Sequence, residues 1–202
     1  MLADRASFQW KCSSEQRDGL LAGAIIGDFH KGRVNQAWPR DLVAGITLHR
    51  RIDALSNKSE SVKPASSFYP KELRRFASIY FDILADYFLA NNWASWSKVA
   101  LKDLTIDSYR ALKKFDAYIP NRNQEFVSFM RHNDLLAGYQ HWNNIELAIS
   151  SVMRRLGRPE LSDPSIQSMS SALKKCEFSF RSCLNEMVDH TAGWNAFDSF
   201  RD

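Results

Sequence analysis

Apolar residues recur along this chain three or four positions apart, and strict alternation is scarce. That pattern predicts an all-α protein. Residues 20–28 read as a buried helix, with Gly19, Ala22, Gly23 and Ala24 small enough to let another helix approach closely. Pro39 is well placed to open the next helix, whose stripe of Leu42, Val43, Ile46 and Ile52 runs to about Leu55. Residues 56–69 are rich in Ser, Lys and Pro and read as a loop. From Pro70 a long helix is predicted over 71–91, with Phe76, Tyr80, Ile83, Leu84, Tyr87 and Phe88 on its core face. Further helices are predicted over 101–115, 125–136, 144–156 and 165–189, punctuated by Ile119-Pro120-Asn121 and Gly157-Arg158-Pro159. The expectation is one helical bundle of about seven helices over residues 1–202, with ragged ends at about 1–14 and 193–202. No internal repeat and no domain boundary are visible.

Composition narrows the class. Of 202 residues, 45% are hydrophobic and 25% charged, with 8 Gly and 6 Pro, which excludes disordered and collagen-like chains. Three cysteines, Cys12, Cys176 and Cys183, with no CxxC spacing, argue against a disulfide scaffold or a thiolate zinc site. The apolar run 20–26 is too short to span a bilayer, and no secretory leader is visible, so a cytoplasmic protein off the membrane is expected.

Charge matters through its location. Lys and Arg total 27 against 23 Asp and Glu, a formal +4. Residues 31–75 hold ten bases and four acids, +6, and the rest of the chain is −2. A localised positive field attracts an anionic partner. No nucleic-acid motif accompanies it, so nucleic acid is not the expected partner.

His49 and Asp53 lie four apart on one predicted helix and therefore share a face. Asp82 and Asp86 repeat that spacing on the next long helix. Asp28 ends the first apolar helix, where a carboxylate meets the negative end of the helix dipole and needs compensation. Asp82 lies within Ile79-Tyr80-Phe81-Asp82-Ile83-Leu84, an expensive setting for an unpaired charge. Four carboxylates and an imidazole suit a divalent cation such as Mg²⁺ or Mn²⁺. The chemistry implied is metal-assisted hydrolysis of a phosphate ester, with Arg50 and Arg51 flanking the pair as a clamp for phosphoryl oxygens.

Three segments carry a family resemblance. Gly19-Leu20-Leu21 through Gly27-Asp28-Phe29, then Leu48-His49-Arg50-Arg51-Ile52-Asp53, then Phe81-Asp82-Ile83-Leu84-Ala85-Asp86-Tyr87-Phe88-Leu89 through Trp93, resemble in order and spacing the acyl-carrier-protein phosphodiesterases. Weaker similarity runs on through Asn133-Asp134-Leu135-Leu136 and Tyr139 to Met153-Arg154-Arg155. The resemblance implies an HD-phosphohydrolase-like all-α bundle. It also implies Mn²⁺-dependent release of 4′-phosphopantetheine from the serine of a holo acyl carrier protein. Asp28, His49, Asp53, Asp82 and Asp86 are then the expected catalytic residues, with Asp28, His49, Asp53 and Asp82 holding the metal. Arg50 and Arg51 would bind phosphate. Arg40, Lys71, Arg74 and Arg75 would dock the acidic carrier protein.

The chain departs from the family pattern at three places. The stretch Ala6-Ser7-Phe8-Gln9-Trp10-Lys11 lacks the family's early histidines, Tyr87 stands at another histidine position, and Tyr139-Gln140-His141 replaces a YRD-like element. The alternative expectation is therefore a homologue that binds a carrier protein or its prosthetic arm without hydrolysing it.

Overall fold

The computed structural model describes residues 1–61 and 63–200. Val62, within the expected loop, and positions 201–202 of the expected ragged tail lie outside the described residues. Among the described residues there are helices and no strands. The α-helices are α1 (Leu2–Gln9), α2 (Ser14–Ile26), α3 (Arg40–Ser56), α4 (Ala77–Asn91), α5 (Leu101–Lys114), α6 (Gln124–His132), α7 (Leu135–Gly138), α8 (Trp142–Arg155) and α9 (Ser162–Ala192). None is long and apolar enough to cross a membrane.

The all-α expectation holds, and the strongly periodic α5 and α8 fall close to where their apolar spacing puts them. The differences have local causes. The helix expected from residue 20 begins at Ser14, because Ser13 closes a capping box: its Oγ accepts from Gln16 N at 3.3 Å, and its own N–H donates to Gln16 Oε1 at 2.9 Å. The long helix expected from 71 begins at Ala77. Pro70 opens a tight turn instead, with Leu73 N–H donating to Pro70 O and Phe76 N–H to Leu73 O, before a 3₁₀ turn at Arg74–Phe76. The helix expected over 125–136 is split into α6 and α7 at Asp134, which takes a left-handed φ of 44°. A short polar side chain tolerates that conformation.

The N-terminal stretch, expected to be ragged, forms α1 with Ala3 and Ala6 buried. The described part of the tail is ordered against it. Trp10 meets the edges of Trp194 and Phe197 at 5.7 and 6.0 Å between ring centres.

Two compact units can be described. The first comprises Met1–Leu55, Ser97–Asp134 and Met187–Asp202. In it α2 packs on α1 and α5, and Leu20, Ile26, Leu42, Ile46, Leu48 and Leu112 are fully buried. The second comprises Ser56–Trp96 and Leu135–Glu186. There α4 packs on α8, the Phe81 ring lies tilted against Phe180 with centres 4.7 Å apart, and the buried Tyr80 hydroxyl hydrogen-bonds Ser165 Oγ at 2.7 Å.

Candidate active site

Gly19, Gly23 and Gly27 are spaced one turn apart along α2 and the 3₁₀ turn that ends it. Asp41, Gly45 and His49 are spaced the same way along α3. The two series face each other in step. A Cβ at Gly23 would lie 2.5 Å from the Leu42 carbonyl oxygen and 2.7 Å from Gly45 Cα. One at Gly45 would lie 2.6 Å from the Leu20 carbonyl oxygen. One at Gly19 would overlap the Asp41 carboxylate, and one at Gly27 would lie 2.5 Å from His49 Cδ2. Only glycines allow the two backbones to approach this closely. Both series rise with residue number, so the helices run alongside in the same direction.

This register delivers the chemistry. Where the seam ends, Asp28 follows Gly27, and His49 Nε2 stands 3.5 Å from Asp28 Oδ1 and 3.2 Å from Asp53 Oδ2. The imidazole is mostly buried, 17% exposed, while the Asp28 and Asp53 side chains are 68% and 58% exposed. A sheltered base thus carries two carboxylates that reach water. Burial pushes the imidazole pKa down, but the hydrogen bond to Asp53 and the charges of Asp28 and Asp53 outweigh it and hold the pKa above the ordinary 6.5. Desolvation pushes the Asp28 carboxyl upward; His49 pulls it back, Asp53 pushes it up, and Lys31 lowers it. The open side of Asp28 lets water screen much of that shift.

Asp28, His49 and Asp53 are therefore brought together, all within the first unit. Lys31, exposed and close enough to act on Asp28, is the cation that motif spacing did not single out. Its only signal in the sequence is its place three residues after Asp28, inside the basic segment.

The two arginines point to different tasks. Arg50 Nη1 donates to Gly32 O at 2.6 Å and Nη2 to His30 O at 2.9 Å. Arg51 lies about 200° around α3 from His49, and its guanidinium sits 4.7 Å over the Trp194 ring. They do not form a common clamp beside His49.

Asp82 and Asp86 belong to the second unit. Asp82, expected to be embedded among apolar residues, lies on the exposed side of α4, as does Asp86, because Phe81, Ile83 and Leu84 turn the other way into the core. Tyr87 packs edge-on against Trp142 at 5.4 Å. Lys71, Arg74 and Arg75 are all exposed in the turn before α4, with the Arg75 guanidinium 4.7 Å over the Phe76 ring. Arg40 is exposed at the first turn of α3.

The donor kinds at Asp28, His49 and Asp53, two carboxylates and one imidazole, are those that Mn²⁺ or Mg²⁺ accepts. Among the described residues, however, no three His, Cys, Asp or Glu side chains stand grouped as a ready metal-holding cluster. The fit is one of ligand chemistry.

A model of the acyl carrier protein phosphodiesterase family matches residues 12–187. An acyl carrier protein phosphodiesterase of Enterobacter sp. (strain 638) is 42% identical over 80 residues, 40% of this chain and 42% of that protein. One from Escherichia coli O6:H1 is 29% identical over 149 residues, 71% of this chain and 74% of that protein. One from Escherichia coli O139:H28 is 39% identical over 80 residues, 40% of this chain and 42% of that protein. No solved structure matches.

Proposed function

The chain belongs to the acyl carrier protein phosphodiesterase family, and we propose that it hydrolyses the phosphodiester joining 4′-phosphopantetheine to the serine of a holo acyl carrier protein. The observation that carries the reading is His49 Nε2 set between Asp28 and Asp53 by the helix register.

Asp28, His49 and Asp53 would hold Mn²⁺ or Mg²⁺, which when bound supplies Lewis-acid activation of water and neutralises charge on phosphoryl oxygens. The chain's own groups do the rest. A carboxylate of the pair, both of which reach solvent, would orient the attacking water and accept its proton. The water oxygen bonds to phosphorus, the bond from phosphorus to the serine oxygen breaks, and that oxygen takes up the proton that the carboxylate had accepted. Apo carrier protein and 4′-phosphopantetheine result. Lys31 offsets negative charge beside Asp28. The exposed Lys71, Arg74 and Arg75 are suited to capture an acidic protein, and Arg40 offers a further exposed cation.

A second reading is favoured by a specific observation: the exposed Phe8 and Gln9 and the ring-packed Tyr87 offer no imidazole where the family pattern has one. On that reading the chain binds the carrier protein or its arm without cleaving it. Incubating the purified protein with holo carrier protein and Mn²⁺, then weighing the carrier by mass spectrometry, separates the two. Loss of the phosphopantetheine mass is expected. Intact holo carrier at high enzyme concentration, with complex formation retained, would establish the second reading instead.

A further inference from the structure

We propose that Arg50 is a positioning residue for Asp28, acting through the backbone after it, and not a phosphate ligand. The proposal rests on the reading of Asp28 as a site residue.

Asp28 stands in a single 3₁₀ turn, Gly27–Phe29, where α2 gives out. A carboxylate at the end of a helix, on a chain about to turn into a loop, has little local structure to aim it. The loop beyond Phe29 is held from α3. The guanidinium of Arg50 spans two carbonyls two residues apart, His30 O through Nη2 and Gly32 O through Nη1. Gly32, whose carbonyl accepts one of these bonds, takes a left-handed φ of 78° that glycine adopts without strain. On its other side the segment is held by His30, whose Nε2 is 2.7 Å from Tyr118 O and whose ring meets Trp38 at 4.7 Å. Trp38 in turn lies 5.3 Å from the Tyr118 ring. Arg50 directly follows His49, so one turn of α3 both presents the imidazole and fixes the backbone that carries Asp28 toward it.

The chemistry distinguishes this role from phosphate binding. Two donors at the ends of one planar group can reach two carbonyls at once; a lysine ammonium, a single point on a flexible stem, cannot reproduce that fork. A phosphate, by contrast, accepts lysine as a point charge.

The test compares the full chain with Arg50→Lys, Arg50→Ala and Lys102→Ala. Amide hydrogen exchange is read over residues 29–38, with residues 20–26 as internal control, and steady-state hydrolysis of holo carrier protein is measured in parallel. Both Arg50 variants should speed exchange over 29–38 by about tenfold or more while leaving 20–26 unchanged. Their kcat should fall about 100-fold, with KM within about twofold of the parent, and lysine should not rescue. Lys102→Ala, at an exposed position of α5, should change neither reading. Unchanged exchange in Arg50→Ala, restored kcat in Arg50→Lys, or faster exchange with full kcat would each overturn the proposal. Should Arg50→Ala fail to fold, Arg50→Lys, which keeps the charge, decides. If the parent does not hydrolyse holo carrier protein, it is the functional reading that fails, and exchange alone then judges whether Arg50 holds the segment.

Discussion

At the N-terminal end of α2, three carboxylates meet three cations. Arg17 bridges Asp4 at 2.7 Å and Asp107 at 2.9 Å, Lys114 reaches Asp18, and Arg110 adds a contact to Asp107 at 3.0 Å. The Asp4 and Asp18 side chains are 8% and 7% exposed, so these charges are enclosed and balanced. At the C-terminal end of the same helix, two carboxylates share one imidazole and remain open to water. The first arrangement fastens α1, α2 and α5 together. The second leaves acceptor capacity unspent, which a structural cluster does not need and a site for a cationic ligand does.

The contrast can be broken by moving a defect from one end to the other. His49→Ala, at the open end, should lower hydrolysis by roughly a thousandfold while circular dichroism and melting temperature change little. A variant that keeps near-parental turnover would remove His49 from the chemistry. Between the ends, Gly23→Ala should cost about 3 kcal/mol in chemical denaturation, because its new methyl meets the Leu42 and Gly45 backbones, which cannot turn aside. Gly19→Ala should cost about as much, since its methyl would lie 2.4 Å from Asp41 Cβ, which no side-chain rotation moves. Costs below about 1 kcal/mol at both positions would mean that α2 and α3 part more readily than their close approach implies.

At the enclosed end, Arg17→Met should destabilise by about 2 kcal/mol. That is less than loss of a fully buried partner, since Arg17 keeps 19% exposure. Turnover should be nearly intact. The smallest effect is in pH. His49 gains protons on folding relative to the unfolded chain, so in chelator its contribution to stability is full below pH 6.5 and fades as pH rises through the raised pKa. The melting-temperature gap between the parent and His49→Gln should therefore narrow from pH 5.5 to pH 8. A gap that widens would reverse the sign assigned to the Asp28 and Asp53 charges.

The sequence is uneven in what it reveals. α5 and α8 carry one polar and one apolar face, so spacing alone places them. The capping box of Ser13 and Gln16 is equally local, and it locates the start of α2 better than the apolar run does. His49 and Asp53 are readable because four residues on a helix is a fixed geometry. That Asp28 joins them depends on the seam of two different helices, whose register no local pattern encodes; the small residues Gly19 and Gly23, with Gly27 where His49 must fit, are its trace. The arginines are the instructive failure of spacing. Side by side in sequence, they face roughly 100° apart, one onto the carbonyls of His30 and Gly32 and one onto an indole.

The matched glycine and α3 series also determine which changes of length the chain can absorb. Since the backbones themselves set how far one helix slides along the other, the connection between them need not act as a spacer. Residues 33–37 are mostly exposed, and adding two or three there should cost only a few tenths of a kcal/mol in closure entropy. A single residue inserted between 19 and 27, or between 41 and 49, would rotate everything beyond it by about 100° and carry Asp28 or His49 off the shared face. Length variation among relatives is thus expected to collect in the connection and to avoid the two eight-residue intervals that measure out the site.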